Sequence, residues 1–202
     1  MFNYGVGCLR TVVFIDGQNL YHSAKDAWRP QPPVGSSIYS WPSYDVEKLA
    51  NTLVSADPSR VLTQIRFYTG VPDPGLGPTQ KHWHSFWSSK LRYLKSRGII
   101  TYKGRINMNG QEKGVDVHLA IDLIQLTYEQ QYEVAMIISQ DWDFGPAIRL
   151  AKEIAKDQGR SLIFESHFPL GSGSDCDRGI PGTDWKPIDK ATYDACLESR
   201  SY

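Results

Sequence analysis

Two aspartates, Asp141 and Asp143, flank a tryptophan in SQDWDF (139–144), directly after the apolar run EVAMIIS (133–139). Aspartate is a poor strand former and is costly to bury without a partner. At the exit of a buried strand it points either to a helix cap or to a cation site. Two further acids share that setting. Asp16 ends the β-branched run TVVFID (11–16), and Asp116 stands in the first turn of a helix that opens at KGVD (113–116). The positive end of that helix favours a carboxylate. Carboxylates gathered at one place cannot all stay ionised without a counter-charge. Donors that are all oxygen suit Mg2+ or Mn2+ rather than Zn2+. Asn19, three residues after Asp16, adds a neutral amide able to hold a water or a phosphate oxygen, or to orient Asp16.

Each acid also has a plain structural reading. Asp16-Gly17 is a turn sequence, Asp116 a first-turn helix acid, and Asp141 or Asp143 an N-cap. Their joint placement gives them weight, and the surrounding elements decide it. Apolar patterning predicts strands at 11–16, 61–70, 99–106, 133–139 and 160–166. Helices are expected over 17–28, 43–56, 79–98, 113–129 and 143–159, with Gly98 and Gly159 as stops. The proline- and glycine-bearing segments 29–42 and 71–78 read as loops. Fivefold alternation of strand and helix implies an α/β fold, a three-layer α/β/α sandwich around a mainly parallel five-stranded sheet. Ligands of such sheets sit beyond the carboxyl ends of the strands, where strand order reverses. In the order 3-2-1-4-5, strands one and four are neighbours at that point, so Asp16, Asp141 and Asp143 face one crevice.

Residues 1–166 are expected to form this domain, with 167–202 a C-terminal extension packing on or near it. RGIPGTDWKPID (178–189) in that extension could fold back as a lid or edge strand, or offer a surface for self-association, and a short helix fits 190–199. Lysine plus arginine and aspartate plus glutamate both number 22, so no global field announces nucleic acid. Three cysteines, Cys8, Cys176 and Cys196, without a CxxC pair argue against a disulfide framework or a zinc site. No apolar run is long enough for a membrane span, and the N-terminus lacks a signal-peptide pattern, so a cytoplasmic protein is expected.

Charge is nevertheless uneven. No acid occurs between Asp73 and Glu112, a stretch that carries Lys81, Lys90, Arg92, Lys95, Arg97, Lys103 and Arg105 with interleaved aromatics. Lys90, Arg92 and Lys95 are therefore candidates for phosphate contact, although Trp83, Phe86, Trp87 and Leu94 recur at helical spacing and suit a core face. Trp142 is placed to stack on a base or to narrow access to the acids.

The ordered set FIDGQNLYH, EKGVDVHLAIDL and SQDWDFGPAI resembles the NYN domain of the PIN-like nuclease superfamily over roughly residues 11–165. The resemblance implies a PIN-like fold and a metal-dependent ribonuclease acting on single-stranded or structured RNA. It implies metal-coordinating roles for Asp16, Asp116, Asp141 and Asp143, with Asn19 as their polar companion. Gln140 and Trp142 depart from the commoner form of the last motif, which has Gly and a small Ser or Thr there. The alternative is a non-catalytic RNA-binding or regulatory protein retaining the fold. All four acids are kept, which favours the enzyme. An aspartyl-nucleophile phosphohydrolase would want an acid at position 18, where Gln18 stands, and no glycine-rich turn follows strand one for a dinucleotide.

Overall fold

The structure, a computed structural model, describes residues 8–28, 43–106 and 112–202. The loop expected over 29–42 lies outside them. In chain order the elements are β1 (Leu9–Asp16), α1 (Gly17–Trp28), α2 (Val46–Ser55), β2 (Arg60–Pro72), α3 (Pro78–Ser96), β3 (Ile100–Ile106), the short β4 (Glu112–Lys113) and α4 (Val115–Tyr128). They continue with β5 (Val134–Ile138), α5 (Gly145–Asp157), β6 (Ile163–Pro169), β7 (Asp184–Ile188) and α6 (Lys190–Ala195). Single 3-10 turns at Pro74–Leu76 and Trp142–Phe144 lead into α3 and α5.

The strands form one sheet in the order β4-β3-β2-β1-β5-β6-β7. All neighbours are parallel except β4, which is antiparallel to β3. The expected 3-2-1-4-5 order holds for the five apolar strands. β4 and β7 are additional: β4 has two residues, and β7, the edge-strand option for 178–189, is exposed at four of its five positions. Val12–Ile15 and Val134–Ile138 are fully buried, because a central parallel strand has helices on both faces and no solvent side. Val13 and Ile15 join the core shared with α1, α2, α3 and α6, while Val12 and Phe14 join that of α4 and α5. Leu119 and Leu123 anchor α4, each burial of this kind contributing about 1.5–3 kcal/mol. α2 is capped by Asp45, its carboxylate accepting from Lys48 N at 3.0 Å.

The C-terminal extension is continuous with the sheet. Position 166 falls inside β6, and β7 pairs with β6 from Glu165↔Asp184 to Pro169↔Ile188. The chain then passes to the α1–α2 side, where Tyr193 and Cys196 are buried. The Tyr193 ring lies 5.3 Å from Trp28 and 6.0 Å from Tyr44. Leu197 bridges Tyr44, and Arg200 donates to Asp45 at 2.7 Å. Arg60 clamps β6 through two bonds to Glu165, 2.6 and 2.8 Å long.

Candidate active site

Register builds the centre of the site. Ile15 pairs with Ile138, so the next residues, Asp16 and Ser139, leave the sheet side by side. Ser139 Oγ donates to Asp16 Oδ2 at 3.3 Å, and Asn19 N donates to Asp16 Oδ1 at 3.1 Å. The Asn19 side-chain oxygen accepts from Gln140 N at 3.1 Å. Asn19 thus ties the β1 exit to the β5 exit, the orienting role among those its position allowed. The backbone N–H of Asp141 donates to Ser139 Oγ at 3.1 Å, closing the loop.

The cap reading of SQDWDF is met. Asp141 caps the 3-10 turn, its Oδ1 accepting from Asp143 N at 2.9 Å, and its charge also reaches Asp16. Asp143 is exposed, while Phe144 is driven into the core. Asp116 is exposed in the first turn of α4, directly after Gly114 at φ +83°, a left-handed conformation that favours glycine. Buried Val115 pins that turn.

Electrostatics couple these acids. Asp16 is only 4% exposed, and its carboxyl is pushed up to about 7. Burial is the main cause, partly opposed by the Asn19 N–H, with the charges of Asp116 and Asp141 raising it further. Asp116 is likewise raised, by desolvation first and then by Asp141 and Asp143. Among the described residues none of the four forms a salt bridge. Mutually repelling oxygens without a protein cation suit a hard divalent ion. Among the described residues, however, no group of three or more His, Cys, Asp or Glu side chains already stands arranged to hold one. The all-oxygen donor chemistry fits such an ion, and Asp116 and Asp143 are the two exposed acids of the four.

Trp142 is 45% exposed, but the Arg178 guanidinium lies 4.7 Å from its ring centroid. Gln140 Nε2 donates to the Cys176 carbonyl at 3.1 Å. The C-terminal segment therefore returns over SQDWDF, and Gln140, where glycine is frequent, supplies the side chain that holds it.

Lys90 corrects an expectation. It is 1% exposed, facing Glu198 at 4.0 Å, so it cannot meet a phosphate at the surface. The spacing that turned Leu91 and Leu94 inward carried Lys90 with them. Arg92 and Lys95 are exposed on the half of α3 that runs into β3, and among the described residues no contact ties them to the acids. Cations do lie beyond the strand exits. β2 and β3 extend past the Asp16↔Tyr68 pair as far as Pro72↔Ile106. There Lys103, Arg105, Lys113 and His84 line an open cleft of about 1170 Å³. Ser139 had a readable signal, a hydroxyl between strand and acids; Arg178 had none. Asp122 accepts from Arg66 and the Tyr68 hydroxyl, each at 2.7 Å. The His118 ring stacks on Tyr102 with centroids 3.8 Å apart.

Among the described residues, no helix is long and apolar enough to cross a membrane. A solved structure of a protein of unknown function from Vibrio parahaemolyticus is similar with a TM-score of 0.54 and 16% identity, over 98% of this chain and 100% of that one. This likeness shows the fold. No curated protein matches. The model of the NYN domain matches residues 10–159, most of the chain and all four acids. The chain belongs to the NYN domain family, whose members are generally nucleases of PIN-like fold.

Proposed function

We propose that this protein hydrolyses RNA phosphodiester bonds with a divalent cation, Mg2+ or Mn2+, held by Asp16, Asp116, Asp141 and Asp143. One observation carries the reading: Asp16 is buried and raised to about 7, beside acids that raise it further. Such a cluster strains the fold unless a cation relieves it. An ion held by these acids would supply Lewis acidity toward a phosphate oxygen and lower the pKa of a bound water.

The chain's own groups do the positioning. Ser139 and the Asn19 N–H hold both Asp16 oxygens in one orientation. The Asn19 amide oxygen fixes the Gln140 backbone, and with it the start of the Asp141 turn. Lys103, Arg105 and Lys113 offer positive charge for the phosphate backbone along the cleft. Arg178 over Trp142 narrows the approach to the acids.

The test is cleavage of single-stranded and structured RNAs with Mn2+, with Mg2+ and with EDTA, comparing wild type with Asp141→Asn. Metal-dependent cleavage that the variant loses is expected. RNA binding without cleavage by the wild type would instead support the regulatory reading.

A further inference from the structure

The aromatic residues of α3 have a second surface besides the core. Trp83 and Trp87, with Tyr44 and Phe67, line a cavity of about 400 Å³ that includes Lys90. Gly17 and Gln18, the two residues after Asp16, are part of the same wall. The cavity and the acids thus share the exit of β1.

Lys90 is the unusual element. Burial lowers its pKa from the ordinary lysine range, with Glu198 opposing. Its ammonium has three donors. Among the described residues they find the Tyr44 carbonyl at 3.5 Å and the Glu198 carboxylate at 4.0 Å, both long. Glu198 is already engaged by Arg200 at 3.2 Å and by the Tyr202 hydroxyl at 2.6 Å. The rings of Tyr44, Trp87 and Tyr202 lie 5.5–5.9 Å from Nζ. Among the described residues, this buried cation therefore keeps donor capacity beside a cavity walled by flat rings.

That combination suits an unstacked base. Aromatic faces accept any base, whereas an ammonium donor favours one presenting a carbonyl. Uracil and guanine present carbonyl oxygens; adenine presents none, only ring-nitrogen acceptors beside its amino group. The volume lies within the roughly 300–1,000 Å³ range of small-ligand pockets. We propose that this cavity receives an unstacked uracil or guanine of an RNA whose backbone lies at the acids, with Trp83 and Trp87 stacking on it and Lys90 donating to its carbonyl. The proposal rests on the nuclease reading for the strand's path, but its test does not need cleavage.

Fluorescence anisotropy in EDTA compares oligouridylate with oligoadenylate of equal length. Wild type is expected to prefer oligouridylate by about tenfold. Lys90→Met keeps the stem's volume and leaves Glu198 its Arg200 and Tyr202 partners, so the fold should survive and the preference vanish. Trp83→Ala, at a residue 46% exposed, should weaken both oligomers without touching the core. Equal wild-type affinities, a preference that survives Lys90→Met, or an indifferent Trp83→Ala would overturn the proposal. So would uridine monophosphate displacing the oligomer at equal concentration, since the ligand would then be a free nucleotide. Mn2+-dependent cleavage in parallel separates the two readings: cleavage without base preference sinks only the pocket, and preference without cleavage sinks only the nuclease.

Discussion

Replacing Asp16 with asparagine should stabilise the cation-free protein at neutral pH while abolishing its use. The rise of Asp16 from the ordinary 3.8 to about 7 means that the folded state holds a proton over a range in which the unfolded chain has released it. Stability from this group is therefore full below pH 3.8 and lost as pH rises through about 7. The shift corresponds to about 4 kcal/mol at its ceiling. Asparagine never ionises, keeps an oxygen for the Asn19 N–H, and turns an amide toward Ser139, whose hydroxyl can reorient to accept. Allowing for imperfect replacement, Asp16→Asn should gain about 1–3 kcal/mol at pH 8 in EDTA. At this chain length that is about 2–4 °C in melting temperature per kcal/mol. Near pH 4 the two proteins should converge. The assay is thermal or urea unfolding of both proteins across pH, and the difference between them isolates Asp16 from every other titrating group. A difference that is flat with pH, or a variant less stable at pH 8 than at pH 4 relative to wild type, would refute the reasoning.

Three further outcomes follow from the packing. Glu165→Gln removes the charge that Arg60 clamps and should cost about 3 kcal/mol at neutral pH in urea denaturation. Because Glu165 is lowered to about 2 by Arg60 and His167 against its burial, that contribution is present above pH 4.5 and fades as pH falls toward 2. Gly17→Ala would place a Cβ 2.6 Å from Phe67 Cζ and 3.0 Å from the Tyr68 carbonyl, so about 1–3 kcal/mol of strain is expected in thermal melts, with weakened RNA binding. Truncation after Gly182 removes β7 with the buried Ile188, Tyr193 and Cys196, and should yield insoluble protein; a soluble fragment melting like the full chain would show the extension to be dispensable.

The central sheet was legible because its strands are buried on both faces and so carry unbroken apolar runs, as in VVFI and VAMII. Once strand one lay beside strand four, Asp16 and Asp141 had to meet. β7 was legible only as one option for 178–189, an edge strand or a lid, because DWKPI has Ile188 as its one buried residue; pairing with β6, not periodicity, makes it a strand. Lys90 misled because charge type says nothing about which side of a helix a residue occupies. Its neighbours Leu91 and Leu94 held that information, and Glu198, which faces it, is more than a hundred residues away in sequence. Arg178 over Trp142 is equally long-range, and no local pattern encodes it.

The most direct test of the account is calorimetric titration of Mn2+ into wild type and Asp16→Asn near pH 7.5. Saturable binding by the wild type is expected, with proton release as the raised Asp16 carboxyl ionises, and loss of both in the variant. Undetectable binding by the wild type, or identical binding by the variant, would contradict it.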